Sequence, residues 1–370
     1  MSANTLPTED ELIEAATRWL QTRVPANWTV NRSARPELAE AGVRPDALIE
    51  IRGSNAVATL AVEAKASFEA RDVDRLLGTI GRVLRALSPY YPILVVAPWL
   101  SSRTRERLAS ERINYIDLTG NTLLQLDNPA VFIQSAGEGR NPNPADRPKA
   151  SARGPKAWRL MRFLIEASTP VGVRKLAAMS DLNPGYVSRL LDTLDDEALV
   201  ERSRRGAVER VDVRALLRKW SEAYDVFKAN KARTYLAPEG ATGALALLPS
   251  LNGLTAVTGS FAAVRIAAIS APALLCVYAE DVAEVEKTLR LIPTNQGTNV
   301  VLLTPFDPVV WDGQDEDRDV KYVAPPQVAI DCLTGNGRMP EEGDAVVEWM
   351  VGNESRWKAS SSAVRPIIDD

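Results

Sequence analysis

Between Pro155 and Val211 few folds are open to the chain, because helical periods and a hairpin follow one another with almost no spare residues. Trp158, Met161, Leu164 and Ile165 share one face over 157–165, and Leu176 and Ala177 are the inward positions of a second run over 173–179. Ser168, Thr169 and Pro170 form a helix-start signal before that second run. Ser180-Asp181-Leu182-Asn183 is a polar turn, and Pro184 suits the first position of a third helix, where its missing N–H costs nothing. The third helix buries Val187, Leu190, Leu191 and Leu194 and turns Tyr186, Ser188, Arg189 and Thr193 outward. Leu199–Arg202 and Val208–Val211 then read as the strands of a hairpin, with 203–207 at its tip.

This order reads as a winged helix-turn-helix within residues 153–235, and its charge has the sign that nucleic acid demands. Residues 151–235 hold 17 Lys/Arg against 11 Asp/Glu, a local +6, so the rest of a chain of net charge −4 carries −10. The outward face of the third helix suits base edges, while Arg202, Arg204, Arg205 and Arg210 on the hairpin suit phosphates. Double-stranded DNA is the expected partner, with no cofactor required, and a homodimer on two-fold sites is the natural assembly. The same pattern leaves open a small helical bundle or a module for protein contacts.

The chain has no histidine, which removes Ser-His-Asp and Cys-His catalysis and imidazole zinc sites. Cys276 and Cys332 have no CxxC arrangement, so neither a disulfide framework nor a cysteine zinc site is expected. No apolar run approaches the roughly 18 residues of a membrane span, and the acidic, amphipathic start does not read as a secretory signal. A cytoplasmic protein without membrane contact is the expectation.

The expected architecture is multidomain, α/β plus α+β. An α/β domain covers 1–136, a Gly-, Pro- and Asn-rich linker 137–152, the winged helix 153–235, an α+β domain 236–358 and a flexible tail 359–370. The first domain alternates helix (11–21), strands (46–51 and 56–65), helix (72–87), strand (93–97), helix (101–111) and short strands (114–118, 122–125, 131–134). In it, Asp46 starts one strand, and Glu63 and Lys65 share a face at the end of the next. Two carboxylates and a lysine at one sheet edge are the donors a Mg²⁺-dependent phosphodiesterase uses. With Pro45-Asp46, Glu63-x-Lys65 and this element order, the segment resembles the PD-(D/E)xK nuclease superfamily, with its restriction-endonuclease-like fold. The resemblance implies Asp46 and Glu63 as Mg²⁺ ligands and Lys65 as the catalytic lysine, with Glu11 or Glu14 completing the set. An ordinary charged strand end is the alternative.

Asp117-Leu118-Thr119-Gly120-Asn121 reads equally as a functional loop or as a polar turn after a buried strand. In the last domain, Leu274–Tyr278 and Val300–Leu303 read as strands, and Val282–Leu289 and Gly343–Met350 as helices. The Gly259-Ser260 step lacks the spaced acidic pair of a nucleotidyltransferase, and no Walker or GxGxxG phosphate loop occurs. Together, Asn114–Asn121, the central module, Ala256–Ala263, Leu275–Tyr278, Val323–Gln327 and Asp331–Arg338 resemble actinobacterial regulators related to AbiEi-type antitoxins of type IV toxin–antitoxin systems. That resemblance implies a DNA-binding transcriptional repressor with a toxin or other protein partner. One departure is order, since an extra α/β domain here precedes the winged helix that a simple AbiEi-type antitoxin carries at its N-terminus.

Overall fold

The structure is a computed structural model that describes residues 7–33, 45–78, 91–143, 150–251 and 253–361. Most of the second half of the expected 72–87 helix, part of the linker and the tail from 362 lie outside the described residues. The chain divides into two compact units, Met1–Pro148 with Asp196–Ala198, and Lys149–Asp195 with Leu199–Asp370.

In the first unit, helix α1 (Glu9–Gln21) is fixed at its start by a capping box, in which Thr8 and Glu11 each bond the other's backbone N–H. It buries Leu12, Ile13, Ala16 and Leu20. Strands β1 (Thr29–Ser33), β2 (Ala47–Arg52), β3 (Val57–Ala64), β4 (Ile93–Ala97), β5 (Asn114–Asp117), β6 (Thr122–Asp127) and β7 (Ala130–Ser135) form one sheet in chain order. The β3–β4 and β4–β5 pairs are parallel, and the others antiparallel. Helices α2 (Ala70–Leu76) and α3 (Ser102–Ser110) lie in the two parallel crossovers, as parallel strands require.

The side chains of β4 alternate across the sheet: Leu94 and Val96 pack with α1, and Val95 and Ala97 pack with Val73, Leu76 and Leu108. Both faces are therefore covered, which is why β4 reads as a continuous apolar run. Strand β1 escapes sequence reading because, of Thr29–Arg32, only Val30 is buried.

The Asp117–Asn121 segment is a structural turn. Asp117 is buried and accepts bonds from the backbone N–H of Leu100, Thr119 and Asn121, from the Thr119 hydroxyl and from the Asn121 side-chain amide, at 2.7–3.0 Å. Gly137 seats on this turn so closely that a Cβ would fall 2.2 Å from the Thr119 carbonyl oxygen. Its N–H donates to Asn121 Oδ1, and Trp99 donates to the Glu138 carbonyl. Residues 137 and 138 thus belong to the packed unit rather than to the linker.

The second unit opens with helices α4 (Pro155–Glu166), α5 (Val173–Ser180) and α6 (Pro184–Asp196), followed by the hairpin β8 (Val200–Arg202) and β9 (Val208–Val211). Helices α7 (Val213–Ser221) and α8 (Val226–Ala229) lead into strand β10 (Lys231–Leu236) and helix α9 (Gly240–Leu247). Next come β11 (Thr255–Thr258), α10 (Ser260–Ile266), β12 (Leu275–Ala279), α11 (Val282–Thr288), β13 (Ile292–Pro293) and β14 (Val300–Thr304). Strands β15 (Asp315–Asp317) and β16 (Val320–Tyr322) precede helices α12 (Pro325–Leu333), α13 (Met339–Gly352) and α14 (Glu354–Ser361).

The second sheet has the order β13-β10-β14-β12-β11-β16-β15 and is mixed. Because β10 sits inside this sheet, the expected boundary at 235/236 falls within a strand, and the helices and the sheet share one core running from Ala152 to Trp357. The joint is aromatic. Trp158 meets Tyr224 and Phe306 edge-on at 5.2 and 5.5 Å, and Tyr224 meets Trp220 at 5.8 Å. Arg159 on α4 grips Asp307 through both carboxylate oxygens at 2.7–3.1 Å and also donates to the Ser180 carbonyl. Helix α14 continues to Ser361, past the expected start of the tail at 359. Both cysteines are free and buried, and no helix of the described residues is long and apolar enough to cross a membrane.

Candidate nucleic-acid interface

Helix α5 ends at Asp181 in the left-handed conformation (φ 50°), and the Leu182 N–H bonds back to the Ala177 carbonyl. Asn183 then starts α6, its side chain accepting from the Gly185 N–H and its carbonyl from those of Tyr186 and Val187. Val187, Leu190, Leu191 and Leu194 are fully buried, as the spacing predicts. A contact that spacing does not reveal joins Val171 to Val208 through paired backbone bonds of 2.9 Å, tying the segment before α5 to the hairpin.

The expected contact residues separate into three groups. Arg189, Arg204 and Arg205 are exposed and form no ion pair among the described residues. Tyr186 and Ser188 are half-buried, and burial pushes the Tyr186 hydroxyl above its ordinary pKa. Arg210 is exposed but pairs across the hairpin with Glu201 at 2.9 Å. Two residues depart from expectation. Thr193 is buried, with its hydroxyl donating within reach of the Arg189 and Ala150 carbonyls, so the segment before α4 covers that turn of α6. Arg202 is mostly buried, ion-paired with Asp192 and donating to the Gly206 carbonyl, so it closes the hairpin onto α6. Exposed Arg174 and Lys175 stand in the first turn of α5 and were not among the expected contacts, though Val173-Arg174-Lys175 is legible as a basic step before buried Leu176. None of α4, α5 and α6 has an acid in its first turn, a feature they share with α3, α7, α8, α9, α10 and α12.

In the first unit Asp46, Glu63 and Lys65 do converge. Lys65 Nζ lies 3.0 Å from Asp46, 3.1 Å from Glu63 and 3.2 Å from Glu9. The third acid is Glu9 rather than Glu11 or Glu14, because Glu11 caps α1 and Glu14 pairs with Arg18. Burial, and then the charge of Asp46, pushes the Glu63 carboxyl up. Burial opposes the charged form of Lys65, but its bonds to Asp46 and Glu63 hold the ammonium above its ordinary range. In this arrangement the Lys65 ammonium sits among all three carboxylates at ion-pair distance. No metal-holding group of three or more Cys, Asp or Glu side chains occurs among the described residues.

Lys65→Met should therefore act on stability, leaving three acids crowded without a counter-charge. The expected loss is about 1 kcal/mol at pH 7, small because Lys65 is over a third exposed. Loss of the lysine removes the cation that opposes the upward push on the Glu63 carboxyl, so the deficit should shrink as pH falls toward 4 and the acids protonate. Denaturant melts at pH 7 and pH 4 check this; an unchanged deficit at both would refute it.

A second buried carboxylate lies in the second unit. Asp331 accepts from the hydroxyls of Tyr224 (2.8 Å), Tyr278 (3.0 Å) and Thr258 (2.7 Å) and from the Gln327 amide (2.9 Å). Burial pushes its carboxyl up to about 6, and raises the hydroxyls of Tyr224 and Tyr278 as well. Tyr224 follows α7, Thr258 ends β11, Tyr278 is on β12 and Gln327 on α12, so one side chain ties four segments together.

Residues 210–351 match the model of a family described as transcriptional regulators, AbiEi antitoxins of type IV toxin–antitoxin systems. The match starts in β9, takes in the second sheet and the Asp331 cluster, and ends in α13; helices α4–α6 and the first unit lie outside it. No curated protein and no solved structure matches the chain.

Proposed function

We propose that this chain is a DNA-binding transcriptional regulator, a repressor of antitoxin type, that grips duplex DNA with a winged helix-turn-helix formed by α4–α6 and the β8–β9 hairpin. The observation that carries this reading is the set of exposed, unpaired arginines on α6 and the hairpin tip, Arg189, Arg204 and Arg205. Arg189, with Tyr186 and Ser188, reads base edges, and Arg204, Arg205 and Arg210 hold phosphates, joined by Arg174 and Lys175 at the start of α5. The family match over 210–351 supports the regulatory role, and a toxin or other protein is the second partner by the same analogy. A homodimer on a two-fold site and work in the cytoplasm belong to the same proposal.

Selection of duplex fragments by the full chain, with and without Mg²⁺, tests it. Enrichment of one sequence class, intact after incubation in either condition, is the expected result. Absence of salt-dependent duplex binding would instead leave a module for protein contacts. Mg²⁺-dependent cleavage lost in Asp46→Ala and Lys65→Ala would replace the regulator with a deoxyribonuclease.

A further inference from the structure

The second unit contains a cleft of about 280 Å³ where the end of α4 meets α10, α13, α14 and the 313–315 loop. A dry cavity of about 150 Å³ holds one benzene ring, so this cleft has room for a fused bicycle or for one ring with a polar arm. Its walls carry the rings of Tyr322, Trp349 and Trp357. Its polar lining includes two arginines, Gln314 and two acids. The Arg265 guanidinium lies 3.9 Å from the Tyr322 ring centre, and that of Arg356 lies 6.0 Å from the Trp349 ring centre. The side-chain nitrogen of Gln314 is buried there without a hydrogen-bond partner. The two acids of the lining are already paired, Glu166 with Arg162 and Asp315 with Arg265, which also lies 3.8 Å from Asp317.

We propose that this cleft binds a small planar aromatic acid, whose ring packs against the half-buried Trp349 and whose carboxylate accepts from Gln314 and Arg265. A buried N–H without a partner is costly, and an acceptor-bearing ligand removes that cost. The Gln314 amide nitrogen and the Arg265 guanidinium are donors only, and so match an acceptor rather than an ammonium.

The position of the cleft also assigns its role, a step that rests on the DNA-binding reading above. Glu166 is both a wall of the cleft and the last residue of α4. One turn earlier the fully buried Arg162 pairs with Glu166 and donates to the Asp312 carbonyl at 3.1 Å. Gly313, at φ +68°, holds a backbone conformation that favours glycine and lies in van der Waals reach of Glu166 Oε1. A ligand held by Gln314 therefore pulls on a loop that is bonded to α4, the helix on which α5 packs.

Calorimetric titration and thermal melts of the full chain with indole-3-carboxylate and benzoate, and with tryptamine as the cationic counterpart, test the site. At least one acid should bind with Kd below about 1 mM and raise the melting midpoint, and tryptamine should not. Gln314→Leu keeps the volume and removes the donor; it should weaken binding by about tenfold or more without lowering the unliganded melting midpoint, since it also removes a buried N–H that has no partner. If neither acid binds, if tryptamine binds equally, or if Gln314→Leu binds like the parent, the site is wrong. The saturating acid should also change affinity for the selected duplex by about fivefold or more, and this should vanish in Gln314→Leu. Acid binding with unchanged DNA affinity overturns the coupling, whereas acid binding by a chain that never binds DNA overturns the regulator reading and leaves the site standing.

Discussion

Arg189→Ala, Arg204→Ala and Arg205→Ala combined should lower affinity for the selected duplex by roughly 10²- to 10³-fold near physiological salt. The three side chains are exposed and form no ion pair among the described residues, so their removal exposes no buried partner and should leave the melting midpoint within a degree or two. Loss of affinity is then a loss of contacts with DNA. The hairpin pair, Arg204 and Arg205, stands for two neutralised phosphates, so the slope of log K against log salt should flatten by about 2. Arg189 on α6 is assigned a base edge, and its single alanine variant should relax sequence preference by about 1–3 kcal/mol at one position. Thr193→Val is the contrast, because a buried threonine has nothing to offer DNA; its affinity and salt slope should match the parent's. Titrations over a range of salt concentrations read all of these. Equal affinity and slope in the triple variant and the parent would remove the proposed interface.

Asp331→Ala should cost about 3–5 kcal/mol, because it strands the hydroxyls of Tyr224, Tyr278 and Thr258 and the Gln327 amide without an acceptor. For a unit of this size that is a fall in melting midpoint of roughly 10 °C. Asp331→Asn separates charge from shape. The native carboxyl titrates at about 6 against an ordinary 3.8, so the folded state holds this proton more tightly than the unfolded chain does. This contribution to stability is therefore largest below pH 4 and falls as pH rises through 6, by about 1–3 kcal/mol in all. The asparagine variant should lack that fall, so its stability relative to the parent should improve between pH 4 and pH 7. Parallel pH profiles for the two proteins would show that Asp331 does not titrate in this range. Glu342, Cys276 and Cys332 share the surroundings, and the pushed-up thiols stay neutral throughout this window.

The helices and hairpin of the second unit were legible because burial there follows a period: Val187, Leu190, Leu191 and Leu194 recur at helical spacing and all are fully buried. Pro184 and the polar turn before it marked where α6 starts, since helix ends are decided by local chemistry. The meeting of Asp46, Glu63 and Lys65 was legible too, because register within a strand and pairing between neighbours bring them to one edge. The third acid was not legible. Glu9, Glu11 and Glu14 all lie on α1, and the choice among them depends on how α1 lies on the sheet and on Glu11 being taken by its cap.

Which outward positions of the third helix are truly outward was also beyond periodicity. Thr193 lies on the polar face by spacing, yet the chain near Ala150 covers it; Arg202 lies on the hairpin, yet Asp192 draws it in. The Asp331 cluster assembles residues from 224 to 331, and no pattern of period two or 3.6 joins such distant positions.

So the run of apolar residues between Pro155 and Val211 determined by itself that this stretch forms helices and a hairpin, because helix and strand periods are local properties of the backbone. Only the tertiary structure decided which of its arginines stay free, and that the stretch shares one core with the sheet that follows. The physical reason is that burial and pairing depend on what the rest of the chain lays against each residue, and sequence separation says little about that.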